Sequence, residues 1–206
     1  MQAITDLIMY FQKGGLVMWP LLACSITVIA IAIERFIYYK SVDSGAAFAS
    51  HYCAAVRSGD FAVATELARK GSGQCAQMLA DVEAVAGGKA EKSAFLESRA
   101  GIFMATLRDK LDYLGIIVTM SPLLGLLGTI VGMIGAFSIF NVEAGAPMAI
   151  TGGIGEALIA TATGLCVAIL SLCAHSYFAH RMDNMITDME QCFSALLEAE
   201  TRRGRS

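Results

Sequence analysis

Charge is scarce in this chain. Only 16% of its 206 residues are Asp, Glu, Lys or Arg, against roughly a quarter in a soluble domain, while 56% are hydrophobic. That ratio excludes an ordinary soluble globule and points to membrane spans. The net charge of −3, with no polybasic run or interleaved aromatic patch, gives no basis for nucleic acid as a partner. Histidine is sparse too: His51, His175 and His180 form no His-Glu-x-x-His spacing, and no nucleophile motif or phosphate loop is present. The chain is therefore not expected to be an enzyme, nor to carry a metal or cofactor. His175 and His180 read as interfacial anchors and His51 as a solvated side chain. Met1 to Tyr10 lacks a basic n-region, so a secretory signal peptide is not expected. Six cysteines show no metal-knuckle or redox spacing; Cys24, Cys166 and Cys173 fall in spans, the rest in segments read below as cytoplasmic. They read as small apolar filler, with no disulfide.

What is present is long uncharged sequence. Gly14 to Ile33 has no charged residue, and twenty helical positions cover about 30 Å, the hydrocarbon thickness of a bilayer. Leu114 to Phe140 is a second such run, and Ala157 to Phe178 a third, interrupted only by His175. The expected class is an all-α integral membrane protein with three spans, over 14–33, 114–140 and 154–178. Residues 34–113 hold ten of the fifteen Lys and Arg and the tail from Arg181 holds four, with Arg35, Lys40, Arg108 and Lys110 beside the span ends. By the positive-inside rule, segments 34–113 and 179–206 are cytoplasmic, and residues 1–13 and the 141–153 hairpin lie outside.

The remaining segments read as helix. Ile4, Leu7, Ile8 and Phe11 predict a short amphipathic helix over 3–12 in the outer interface. Breaks are expected at Ser58-Gly59, Gly71-Ser72-Gly73 and Gly87-Gly88, with Asp60 as an N-cap. No proline falls between Lys89 and Pro122, so that helix is expected to enter the second span unbroken. Met182, Met185, Ile186, Met189, Phe193 and Leu196 form an apolar stripe that carries the third helix beyond the membrane, packed on neighbours. Two helices of about fifty residues would each reach about 75 Å and project into the cytoplasm.

The spans differ in texture. The first is bulky, with Leu21, Leu22, Ile26, Ile29 and Ile33 behind Trp19, and reads as lipid-facing. The second places Gly125, Gly128, Gly132 and Gly135 on one face, and the third repeats Ala160, Gly164 and Ala168. Small faces let helices approach closely, because lipid supplies no hydrophobic drive for their association. Three helices cannot enclose a pore, so an oligomer is expected. Thr129, Thr161 and Thr163 lie inside the spans, and Glu156 sits at the outer end of the third. A carboxylate in hydrocarbon costs about 3 kcal/mol and should face a lumen or partner; alternatively Glu156 begins a helix at headgroup depth, favoured by the N-terminal dipole. Glu156 and Thr161 point about 140° apart on an ideal helix, while Thr163 lies closer to the direction of Glu156.

The run Ser121-Pro122-Leu123-Leu124-Gly125-Leu126-Leu127-Gly128-Thr129-Ile130-Val131-Gly132-Met133 closely resembles the second-span signature of the ExbB/TolQ/MotA superfamily. Ala146-Pro147, followed by Gly153-Ile154-Gly155-Glu156-Ala157-Leu158-Ile159-Ala160-Thr161-Ala162, is similar to the start of its third span. Gly15-Leu16-Val17-Met18-Trp19-Pro20-Leu21-Leu22, with Glu34-Arg35-Phe36, is similar to its first span and cytoplasmic edge. The resemblance, closest to the ExbB and TolQ branches, covers nearly the whole chain in order. It implies a homo-oligomer, typically a pentamer, in the bacterial inner membrane. A central pore would hold ExbD/TolR-like single-span partners, each with a membrane Asp, and the motor would drive a TonB- or TolA-like protein in outer-membrane transport or envelope maintenance. By position Glu156 matches the family's third-span carboxylate, and Thr129 and Thr161 match its pore threonines. Gly155 replaces a common Ala, and Ile169-Leu170-Ser171 stands where the family usually has a proline. One charge crossing 100 mV releases about 2.3 kcal/mol, so a few protons per cycle would drive a conformational switch. Threonine chemistry suits H⁺ or Na⁺, and the resemblance leans to H⁺. The alternatives are a passive oligomeric membrane scaffold, or a flagellar-stator-like ion channel, a branch that usually has four spans.

Overall fold

The computed structural model describes Phe11, residues 14–142 and residues 147–203. Apart from Phe11, the amphipathic helix expected over 3–12 lies outside the described residues, as do residues 143–146 of the expected hairpin. Among the described residues all regular structure is helical: α1 (Met18–Val42), α2 (Ala46–Ser58), α3 (Phe61–Lys70), α4 (Gln74–Val82), α5 (Lys89–Arg108), α6 (Leu111–Val142) and α7 (Pro147–Arg203). The described residues include three stretches of helix, carried by α1, α6 and α7, that are long and apolar enough to cross a membrane.

The chain forms two compact units, the first comprising Met1–Ile33 with Leu111–Ser176. Here α1 buries Met18, Leu21, Cys24 and Val28 along one face, continuing from the buried Val17 just before it, and exposes Leu22, Ile26, Ile29 and Ile33 on the other. Leu21, grouped on sequence with the lipid-facing residues, is 1% exposed because it shares the face of Val17 and Cys24. A cluster of Val17, Met18 and Leu21 packs with Phe11, Leu124 and Ile159. α6 carries Pro122 in its interior. On α7 Pro147 takes the first helical position, where a missing N–H leaves no bond unmade. That helix then continues through Ile169-Leu170-Ser171. The buried Ser171 hydroxyl donates to the Leu114 carbonyl at 2.9 Å, tying α7 to α6.

The second unit comprises Glu34–Lys110 and Tyr177–Ser206. Its helix boundaries follow local chemistry. α2 ends at Gly59, whose φ of +81° is a left-handed cap, with the Asp60 N–H returning to the Ala55 carbonyl at 3.1 Å. The Asp60 carboxylate then caps α3 by accepting from the Val63 N–H at 3.2 Å. Glu91 reaches back to the Gly88 N–H at 2.9 Å at the start of α5. A turn at Asp109-Lys110 separates α5 from α6, where sequence alone predicts an unbroken helix. The core gathers Leu79, Val82, Leu96 and Leu107 with the stripe of α7, of which Met182, Met185, Met189, Phe193 and Leu196 are buried. Ion pairs link Arg181 to Asp43 at 2.8 Å and Lys92 to Glu200 at 2.7 Å.

The C-terminal half of α1 secures the end of α5. The last carbonyls of a helix have no partner within it. Buried Arg35 donates from Nη1 to the Thr106 carbonyl at 3.0 Å and the Leu107 carbonyl at 3.4 Å, and Tyr39 Oη donates to Leu107 at 3.0 Å. Cation and helix dipole are matched in sign there.

Candidate functional site in the spans

The small-residue faces of α6 and α7 meet. A Cβ on Gly125 would stand 3.1 Å from Thr161 Cα and 3.2 Å from the Ala160 carbonyl oxygen, and one on Gly132 would stand 3.2 Å from Ala157 Cβ. At Gly128 it would run into Ala160 Cβ, and at Gly164 it would stand 2.6 Å from the Ser121 carbonyl oxygen and 3.0 Å from Gly125 Cα. Ala160 and Ala168 are buried on the same helix. Gly135 differs: a Cβ there would meet nothing within 4 Å, and the buried neighbour Ala136 occupies the line against Gly153 instead. The spacing of 3, 4 and 4 through Ala136 follows a straight helix face as well as the glycines do.

The four polar residues singled out on sequence are all partly exposed, and the three threonines make different bonds. The Thr161 hydroxyl crosses the interface to donate to the Gly125 carbonyl at 3.1 Å. Thr129 donates to Leu126 on its own helix at 2.6 Å, and Thr163 to Ile159 at 2.8 Å. Each hydroxyl proton is thereby engaged, leaving oxygen lone pairs free to accept. Such an oxygen suits a hydrated proton or a metal cation better than an anion. Glu156 stands more than two turns inside α7, which begins at Pro147, so the helix dipole does not explain an acid there. Its Oε1 occupies the space where a side chain on Gly15 would begin. The structure thus brings Thr161 to α6, and Glu156 to the turn before α1.

Sequence reasoning missed that Gly15 contact, although the Gly14-Gly15 pair at the mouth of the first span was its visible signal. It also passed over Ser121, which is fully buried on α6 with its hydroxyl unbonded among the described residues. In the second unit it missed a gathering of thiols. Cys53 and Cys192 lie 3.9 Å apart sulfur to sulfur and both are buried; the buried Cys75 thiol neighbours Cys192. Burial, then the Cys192 neighbour, pushes the Cys53 thiol up to about 11. The Cys75 neighbour, then burial, raises Cys192 as well. Raised thiols are poor nucleophiles and poor ligands. The six cysteines are free, and the described residues hold no group of three ligands placed for a metal.

Three apolar helices, two of them packed through small residues, carrying hydroxyls and one carboxylate, define a multi-pass helical membrane protein. Residues 72–191 match the model of the MotA/TolQ/ExbB proton channel family, and the chain belongs to that family. It is 34% identical over 170 residues to the ExbB-like 1 protein of Synechocystis sp., covering 79% of this chain and 66% of that one. It is 27% identical over 186 residues to the biopolymer transport protein exbB1 of Vibrio cholerae, covering 87% and 82%. Against the Tol-Pal system protein TolQ of Pseudomonas aeruginosa the match is 36% over 81 residues, 39% of this chain and 35% of that one.

Proposed function

We propose that this chain is the channel subunit of an ion-driven motor in the bacterial inner membrane. Protons pass along Glu156, Thr129, Thr161 and Thr163, and their passage drives a partner. The observation that carries this reading is that Glu156, Thr129 and Thr163 are partly exposed on helices otherwise fit for lipid. A single chain leaves them partly uncovered, and lipid is a costly cover for a carboxylate. Enclosure by further copies of the chain would cover them, which supports a homo-oligomer; family likeness favours a pentamer. The exposed apolar side chains Leu123, Leu126, Ile130, Ile134 and Phe137 of α6 supply surface for lipid or for such neighbours. Within the lumen a single-span partner of the ExbD/TolR type would bring the membrane Asp that this chain's spans lack. A TonB- or TolA-like protein would take up the motion. The Lys and Arg distribution supports an N-terminus outside, with residues 34–113 and 179–206 in the cytoplasm.

The test is ion flux in proteoliposomes holding the complex purified with its native partner. Glu156→Gln and Thr129→Val should each lower flux several-fold, with the oligomer intact by native mass spectrometry. Full flux in both variants would refute a path built from these residues and leave a passive scaffold as the better reading. Replacing the proton gradient by a sodium gradient distinguishes the two cations.

A further inference from the structure

We propose that Gly15 is a positioning residue for the Glu156 carboxylate: the backbone turn before α1 is a fixed wall against which that side chain is seated. The inference rests on the reading of Glu156 as part of the ion path.

Gly15 has φ of +72°, a conformation that side chains with a Cβ rarely adopt. Its absent side chain would overlap Oε1 of Glu156, with Cδ at 2.8 Å and Cγ at 3.3 Å, so one carboxyl oxygen and the carboxyl carbon lie against the glycine. The turn is itself packed against neighbouring side chains. A Cβ on the preceding Gly14 would stand 2.6 Å from Met18 Cγ and 3.2 Å from Ile159 Cγ2, and Ile159 lies one helical turn beyond Glu156. The Gly14 N–H donates to the Phe11 carbonyl at 3.3 Å and the Met18 N–H to the Gly15 carbonyl at 3.2 Å. Val17, Met18 and Leu21 pack on Leu124 and Ile159, and the Phe11 ring meets Trp19 edge-on at 5.2 Å. When a Cβ is added at position 15, what yields is therefore the far end of the Glu156 side chain.

This separates Gly15 from the packing glycines. At Gly125 and Gly164 an added Cβ meets backbone of the opposing helix, so the helices themselves must part. At Gly15 the chain still folds and assembles, while the carboxylate is moved from its place. A displaced carboxylate loses register with whatever donor or ion it serves, and flux should fall without loss of the complex.

The experiment compares flux and native mass in the purified complex for a small set of variants. Gly15→Ala adds both the collision and the backbone strain. Gly15→Asn adds the collision with less strain, since Asn tolerates positive φ. Gly59→Ala adds strain alone, because Gly59 has φ of +81° and nothing within 4 Å of its would-be Cβ. We expect both Gly15 variants to assemble and lose flux several-fold, with Gly59→Ala at the wild-type rate. Shortening the acid relieves the overlap, so Glu156→Asp added to Gly15→Ala should raise flux above that of Gly15→Ala alone. Wild-type flux in the Gly15 variants while Glu156→Gln is impaired would overturn the positioning role and leave the ion path standing. Full flux in Glu156→Gln would remove the path and the positioning role together. Failure of both Gly15 variants to assemble, or a Gly15→Ala change that lowers flux as much in the Glu156→Asp background as in the wild type, would also overturn it, by showing that the backbone rather than the carboxylate absorbs the change.

Discussion

Replacing Gly164 by Ala tests how tightly α6 and α7 are locked. The new methyl would stand 2.6 Å from the Ser121 carbonyl oxygen, 3.0 Å from Gly125 Cα and 3.2 Å from Gly125 N. All three are backbone atoms, so no rotamer change relieves the overlap and the helices must separate by several tenths of an ångström. Overpacking of this kind costs about 1–3 kcal/mol. The shift also stretches the bond from Thr161 to the Gly125 carbonyl, now 3.1 Å, and interhelical bonds of that type are worth about 0.6 kcal/mol. Against this, Ala is favoured over Gly inside a helix by about 1 kcal/mol. The balance is a loss of about 0.6–2.6 kcal/mol, and a chain of this size shifts its melting point by about 2–4 °C per kcal/mol. The assay is thermal unfolding of the detergent-solubilised complex, with Gly101→Ala as control. That site on α5 has nothing within 4 Å of its would-be Cβ, so the propensity gain is expected there without a clash. A Gly164→Ala protein melting at or above the wild type would refute the close-packed interface.

Two further outcomes follow from the second unit. Arg35→Ala should destabilise by about 2–3 kcal/mol, because it strips charged donors from the Thr106 and Leu107 carbonyls. Arg35→Lys should recover only part of this, since one ammonium does not reproduce the planar fork; thermal melts equal to the wild type for Arg35→Lys would contradict the cap. Asp188 has its carboxyl raised above 3.8, first by burial and then by Asp43. The folded state holds that proton more tightly than the unfolded chain, so stability falls as pH rises from 3.8 through the raised value. Asp188→Asn should therefore raise the melting point at pH 7, with the gain shrinking on acidification toward 3.8; a gain independent of pH would show that the carboxyl does not titrate as described.

Much of the local design was legible in the sequence, because it depends on residues close along the chain. Uncharged runs give the three apolar helices, since hydrocarbon tolerates neither charge nor an unpaired backbone. Gly59 and Asp60 mark adjoining helix ends because φ and a capping oxygen act within four residues. The stripe from Met182 to Leu196 announced its burial through helical periodicity alone, and the second-span run carried the family. What tertiary structure decided is which distant groups meet. Thr161 and Gly125 are 36 residues apart, Arg35 and Thr106 are 71 apart, and Cys53 and Cys192 are 139 apart. Glu156 and Gly15 belong to the same class: an acid and a glycine, each ordinary in its own stretch of sequence, acquire their relation only when α7 is packed beside the turn before α1. Periodicity fixes the face on which a residue stands, while the depth and partner of that face depend on how neighbouring helices fill the space, which no local pattern encodes.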